Sequence, residues 1–501
     1  MKRTIALLLL ISMLLVPLVA CSGDSDSDNQ GTTTTTAAST TADPNAITTY
    51  LEPLSEELKA LDFDGEQVVM LGRTDDSTEW MNDIFVVEEL MNEPINDAIY
   101  NRNLAVSEML NVEFVQNKDG GSVNDLVSKM VNSGESTYDI VAGSVYYSTP
   151  MMRSGYLYNM YDNGIDKYLN TESQWWPQYW IEEAEIEERL YFLAGTPTLS
   201  LTRAMFVTYF NKNMAESYGI ENLYDVVTRG DWTMDYMSSL VSGIYRDLNG
   251  NDQRDIEDEY GMASNLFENA DVYWSSFDME MLTKDSDGWF ELSGEKEKIS
   301  KAFEKVYDLL YNNTGVYSYD SMEENWIRQL NMFANGNVLL TPLHLYYAET
   351  QELRNMQDEY GIIPTPKYDK DQKEYYTFAH DQYSVFMIPC TVKDPEMSGA
   401  VLEALAYESY KSVQPIYYDI VLKGRYANDP ESREMLDTIT GNIKVNCAWI
   451  YANILDDPAA DVFRSLINDK KTTFASAYAT VETKLPKTLK TLEKTISLFD
   501  Y

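Results

Sequence analysis

The sequence predicts an α/β protein built as two lobes, and three observations carry that prediction. The chain of 501 residues is longer than one ordinary domain accommodates. Its first folded stretch alternates short apolar runs with amphipathic ones in the order β-α-β-α-β. Its last hundred or so residues read mostly helical.

The elements follow in order. "EQVVMLGR", Glu66 to Arg73, reads as a first strand. "NDAIYNRNLAVSEMLN" follows as a helix with Ile99, Leu104 and Val106 through Leu110 near one face. "VEFVQN" is a second strand, "VNDLVSKMVNSG" a helix ending at Gly134, and "YDIVAGS" a third strand. Right-handed crossovers of this kind demand a parallel sheet. In such sheets ligands bind outside the carboxyl ends of the strands, so the loop after Leu71 and the segment from Gly143 to Tyr147 are the first places for a site. Farther on, "PEMSGAVLEALAYESYKSVQPIYYDIVLKG" opens a helical run at Pro395 that reaches Gly424. "FASAYATVETKLPKTLKTLEKTISLF" reads as a late helix interrupted near Pro486.

Ahead of the folded part, Lys2 and Arg3 precede an apolar run too short and too early for an ordinary membrane span. Residues 1–20 read as a signal peptide ending at "LVAC", which resembles the lipobox of bacterial lipoproteins, with Cys21 as the lipidated residue. Residues 21–49 are rich in Ser, Thr and Asp and nearly free of large apolar side chains. They cannot bury enough surface to offset their ordering entropy, and read as a disordered tether. This places the protein at the outer face of the cell membrane.

A hydrophobic content of 44% supports real cores. The net charge of −43 and the lack of basic patches exclude nucleic acid as a partner. The same charge disfavours electrostatic adhesion to anionic lipid. With Cys21 lipidated, Cys390 and Cys447 remain, read as two free thiols in preference to a disulfide. With only two histidines, His344 and His380, a His-rich transition-metal site is excluded.

Several stretches, taken together, resemble the extracellular solute-binding proteins of ABC importers, the class that includes maltose-binding protein. They are "LNVEFVQN" with "YDIVAGSVYYSTPMMRSGYLYNM", "MFVTYFNKNMAESYGI", "MFANGNVLLTPLHLYYAE", "YGIIPTPKYDKDQKEYY" and "VFMIPCTVKDPEMSGAVLEAL". The resemblance implies a two-lobed periplasmic-binding-protein-like fold of type II with a helix-rich C-terminal region. It implies lobe 1 from 65–203 and 382–430, and lobe 2 from 204–381 and 431–501. It also implies ligand capture between the lobes by hinge closure, ABC permease subunits as partners, a monomeric receptor and no catalysis.

Sugar clefts combine aromatic faces with acids, amides and Arg that bond hydroxyls. With 37 Tyr and 9 Trp, position must select among candidates. Asp75, Asp76 and Trp80 follow the first strand, and Ser144, Tyr146 and Tyr147 follow the third. Trp274 stands in a polar setting of the second lobe, His344 and Tyr346 in a loop that the resemblance makes cleft-lining, and Asp381 and Gln382 near the return crossing. A carbohydrate or oligosaccharide ligand is the primary reading; a peptide ligand on the same fold and a surface glycoside hydrolase using two carboxylates are the alternatives.

"DLNGNDQRDIEDEYG" crowds acidic side chains that repel unless a cation sits among them. Counted as an EF-hand-type loop from Asp247, the oxygen donors are Asp247, Asn249, Asn251, the Gln253 carbonyl, Asp255 and Asp258, which suits structural Ca2+. Position 6 is Asp252 in place of Gly, and position 12 is Asp in place of Glu. A solvated acidic turn held by Asp and Asn side-chain hydrogen bonds is the competing reading.

Overall fold

The first three strands pair as the alternating pattern requires. A computed structural model describes residues 51–73, 81–117, 121–320, 327–423 and 430–499. Strand β1 (Glu66–Leu71) lies parallel to β2 (Val112–Gln116), with Glu66 opposite Val112, and parallel to β3 (Ile140–Ser144), with Met70 opposite Ile140. Helices α1 (Pro94–Leu110) and α2 (Val123–Ser133) make the crossovers. Helix α2 starts where Ser122 accepts the Asp125 N–H and stops at Gly134, whose φ of +71° is the left-handed geometry of a helix C-cap. A fourth strand from far along the chain, Ser384–Met387, runs antiparallel to β3 and completes the sheet.

Helix α1 departs from the expected face. It buries Arg102 and Asn103 together with Ile99, Val106 and Leu110, and leaves Leu104 exposed. Arg102 satisfies its donors on neighbouring oxygens, which lets a charged side chain take a core position.

A second sheet is built from later strands: β4 (Phe206–Asn211), β5 (Tyr245–Arg246), β6 (Glu259–Asn265), β7 (Val316–Tyr319), β8 (Val338–His344) and β9 (Tyr360–Ile363). Its order is β9-β4-β8-β6-β5, with β7 also on β6. β6 is parallel to β7 and β8, while β4 runs against β8 with Phe206 opposite His344. The end of β8 and the start of β4 therefore share one edge of the sheet. Strand β6 is held close to its neighbour: a Cβ on Gly261 would fall 2.6 Å from the Val241 carbonyl oxygen.

The helical run from Pro395 is continuous, but Ser409–Val413 is π-helical between Pro395–Glu408 and Gln414–Lys423. The late helix Phe474–Ile496 is not interrupted at Pro486. A proline inside a helix costs about 3 kcal/mol. Burial of Val481, Leu485, Leu489, Leu492 and Ile496 along one stripe outweighs it at about 1.5–3 kcal/mol per side chain. Cys447 is a buried free thiol and Cys390 a half-buried one. Among the described residues no helix is long and apolar enough to cross a membrane.

Candidate functional site

Where the carboxyl ends of the two sheets' parallel strands face each other there is a cleft of about 1710 Å³. Pockets for drug-sized ligands span about 300–1,000 Å³, so this space admits a larger molecule.

One wall comes from the first sheet. Arg73 follows β1, Met81 to Ile84 and Val87 lie ahead of α1, and Ile95, Asn96, Ile99 and Arg102 belong to α1. Tyr146 and Tyr147 open the helix Val145–Arg153 directly after β3. The facing wall comes from the second sheet: Phe267 and Glu268 follow β6, and His344, Tyr346 and Tyr347 end and follow β8. Thr196 to Leu199, Arg203, His380 to Gln382 and Arg464 form the floor.

The floor is braced by charge. Arg203 grips Glu349 with two bonds, Nε to Oε1 at 3.0 Å and Nη2 to Oε2 at 2.7 Å. Its guanidinium also lies 5.8 Å from the Tyr346 ring. Arg464 pairs with the buried Asp271 at 2.5 Å. Burial, only partly opposed by Arg464, pushes the Asp271 carboxyl up to about 7. His380 stands between two acids, 3.6 Å from Glu268 and 3.3 Å from Asp381. His344 stacks against Tyr347 with ring centroids 5.9 Å apart, and burial holds its pKa well below the ordinary imidazole value, so it is neutral at pH 7.

The structure brings together Tyr146, Tyr147, His344, Tyr346, Asp381 and Gln382, all of which line the cleft. Tyr147 is the freest of them, 54% exposed, while the Tyr146 hydroxyl donates to Asp457 at 2.9 Å. Ser144 sits just behind the surface; its hydroxyl donates to the Asp381 carbonyl oxygen and holds that turn. Asp75, Asp76, Trp80 and Cys21 lie outside the described residues.

Trp274 must be corrected. It is fully buried and packs edge-on against Trp449 and Phe463, away from the cleft. Its polar neighbours are themselves buried: Asn269 bonds Ser264, Gln329 and the Pro342 carbonyl, and Asp271 bonds Arg464. Polar residues beside Trp274 thus marked an internal network and not a surface. Sequence reasoning passed over Arg73, Arg102, Arg203, Glu268, Tyr347 and Arg464. For Arg73 a signal existed, since it directly ends the first strand segment; nothing local marks Arg464.

The acidic loop closes on its own backbone. Asp247 accepts the N–H groups of Gly250 and Asp252, Asn249 that of Asn251, and Asn251 that of Gln253. The Asn249 and Asn251 amides donate to Asp255. Asp258 is fully buried, accepting from Leu248 N and the Tyr245 hydroxyl. In this arrangement amide hydrogens stand where a cation's ligands would present oxygen. No group of three or more His, Cys, Asp or Glu side chains suited to a metal ion occurs among the described residues.

No family model matches the sequence, and no curated protein matches it. Solved structures do. A sugar transporter protein of Rhizobium etli in an open conformation superimposes with a TM-score of 0.53 at 14% identity, over 86% of this chain and 99% of that one. The GacH receptor of Streptomyces glaucescens, solved unliganded and with acarbose, gives 0.52 at 12% identity over 85% and 99%. The galacto-N-biose/lacto-N-biose I-binding protein of a Bifidobacterium longum ABC transporter, in complex with lacto-N-biose, gives 0.52 at 11% over 86% and 98%. The fold is therefore that of the two-lobed solute-binding proteins.

Proposed function

We propose that this chain is a lipid-anchored extracellular receptor that captures a carbohydrate between its lobes and delivers it to the permease of an ABC importer. The observation that carries the reading is the cleft itself: Tyr146, Tyr147, Tyr346 and Tyr347 supply aromatic faces beside Asp381, Gln382 and paired arginines. Aromatic faces stack on the C–H patches of sugars while planar polar groups bond their hydroxyls. Three structural neighbours whose ligands or roles are sugars support the ligand class. Anchoring rests on Cys21 in "LVAC". The mechanism has no covalent step: ligand binds the closed form preferentially and thereby shifts an open–closed equilibrium.

A thermal-shift screen of the protein against mono- and oligosaccharides and short peptides tests this. A ligand that binds only the folded state raises the melting temperature. Stabilisation by a glycan series supports the reading; stabilisation by peptides alone replaces the ligand class.

Calcium at the 247–258 loop belongs to the same proposal as a structural ion. The ligand spacing supports it, as does the positive φ of Asp252, +55°, at the turn where an EF-hand loop carries Gly. Binding requires the Asn249 and Asn251 side chains to turn their amide oxygens inward. Calorimetric titration of calcium into the chelator-treated protein decides it; no heat above dilution at millimolar calcium removes the ion from the account.

A further inference from the structure

The cleft lining has two parts of different chemistry. In one, aromatic rings form an arc. The Tyr146 and Tyr147 ring centroids lie 5.1 Å apart, and the Tyr146 N–H donates to the Asp381 carbonyl oxygen. His380, the residue before Asp381, lies 5.5 Å from His344, which stacks on Tyr347. Tyr347 in turn lies 5.7 Å from Tyr346. Arg203 closes the arc, its guanidinium 5.8 Å from the Tyr346 ring and 5.7 Å from the Tyr417 ring.

Beyond Tyr417 the lining turns aliphatic. Val413 and Ile420 stand about one turn to either side of Tyr417 on the helical run through Lys423, and both line the cleft. That run packs against α1, which adds Ile95 and Ile99, one turn apart. Met81, Ile84 and Val87 continue the wall from the segment ahead of α1.

This wall is fixed from behind. The Gln116 side chain accepts the N–H groups of Phe85 and Val86 and donates to the Asp83 carbonyl. Arg102 and Asn103 donate to the Phe85 carbonyl, and Arg102 also reaches the Ser409 hydroxyl of the packed helical run. These bonds turn backbone polar groups into the protein and leave side chains to face the cleft. Ile84 is 49% exposed although the residues on both sides of it are pinned. The polar side chains at the start of α1 are engaged locally: Glu93 accepts the Asn96 N–H, and the Asn96 amide donates to the Glu89 carbonyl.

A bare sugar gains little from such a wall. Its hydroxyls would lose water against branched aliphatic side chains and receive no bond in return. Its C–H patches suit flat aromatic rings, which the arc already supplies. An apolar group, by contrast, gains from every carbon it buries there.

We infer that the ligand is a glycoside whose sugar lies on the aromatic arc and whose apolar aglycone, alkyl or aryl, lies on the aliphatic wall. This rests on the carbohydrate reading above and narrows it.

The test is calorimetric titration of the protein with methyl, phenyl and octyl glycosides of glucose, galactose, mannose and xylose, in both anomers and below micelle-forming concentrations. Unsubstituted hexose trimers and 1-octanol are the comparisons, and the phenyl and octyl arms separate flat from flexible aglycones. At least one phenyl or octyl glycoside is expected to bind about tenfold or more tighter than its methyl counterpart, since burial of one methylene is worth about fourfold. Its heat-capacity change on binding should also be more negative. Ile84→Asn, at an exposed position that does not endanger folding, is expected to lower the affinity ratio of that glycoside to its methyl counterpart about fivefold. Phenyl and octyl glycosides that bind no tighter than methyl ones overturn the inference and leave the receptor reading intact. So do trimers that bind tighter than every phenyl and octyl glycoside, or indifference of the ratio to Ile84→Asn. Octanol binding as tightly as the octyl glycosides, or failure of every glycoside and trimer to bind, overturns both.

Discussion

Replacing Glu349 with Gln breaks the ion pair that joins the cleft floor to its second wall. Arg203 ends the helical turn Ser200–Arg203, and Glu349 ends the 3-10 turn that carries Tyr346 and Tyr347. Their side chains are only 12% and 11% exposed. At a charge separation near 4 Å, and with an effective dielectric constant near 20, the attraction is about 4 kcal/mol. Glu349→Gln removes that attraction and leaves a desolvated guanidinium with one amide oxygen to bond. Loss of one partner of a buried pair costs about 3–5 kcal/mol, and the residual exposure places this pair near the lower figure. Replacing both partners by apolar residues, Arg203→Met with Glu349→Leu, leaves no stranded charge and is expected to lie within about 1 kcal/mol of wild type. The methionine keeps contact with the rings of Tyr346 and Tyr417, which the guanidinium now covers at 5.8 and 5.7 Å. Urea unfolding of wild type, Arg203→Met, Glu349→Leu and the double variant gives the cycle, with Glu349→Gln measured beside them. Additive single effects, or a Glu349→Gln variant within 1 kcal/mol of wild type, would show that water screens the pair and that it does not brace the cleft.

Three further outcomes follow from the same geometry. Asp271, with its carboxyl raised to about 7 by burial, favours the proton in the folded state; its contribution to stability is complete below its unfolded value of 3.8 and is lost as pH rises through about 7. Wild type should therefore lose stability relative to Asp271→Asn between pH 5 and pH 8, and parallel urea midpoints across that range would contradict this. Tyr147→Ala should weaken glycan binding by about 0.5–1.5 kcal/mol with little change in stability, whereas Trp274→Ala should destabilise by about 3–5 kcal/mol through a core cavity; the reverse pattern in paired calorimetry and unfolding would exchange their roles. Asp258→Ala strands the Leu248 N–H and the Tyr245 hydroxyl and should cost about 2–4 kcal/mol even with chelator present, since the bonds it loses are internal; a loss seen only with calcium would assign Asp258 to the ion instead.

Much of the first sheet was legible because its signals are local. Short apolar runs marked β1 to β3, and Gly134 marked the end of the helix between β2 and β3. Tyr146 and Tyr147 were findable for the same reason: strand-end position is a sequence property once the strand is known. Pro486 and Trp274 were misread because local rules lost to packing. A buried stripe of five apolar side chains carried the helix through the proline, and a buried polar network surrounded the tryptophan. Leu104 lies off the expected face, and Arg102 takes a core position because it finds carbonyl and hydroxyl partners on segments that no local pattern connects to it.

By itself, then, the sequence determined the α/β alternation, the strand ends at which a ligand site must lie, and the aromatic supply available there. Each of these depends on residues within a turn or two of one another. The tertiary structure decided the pairings that make the cleft: Arg203 with Glu349, Arg464 with Asp271, His380 between Glu268 and Asp381. Some of these partners are separated by nearly two hundred positions in the chain, as 271 and 464 are, and charge compensation between them has no periodicity to read.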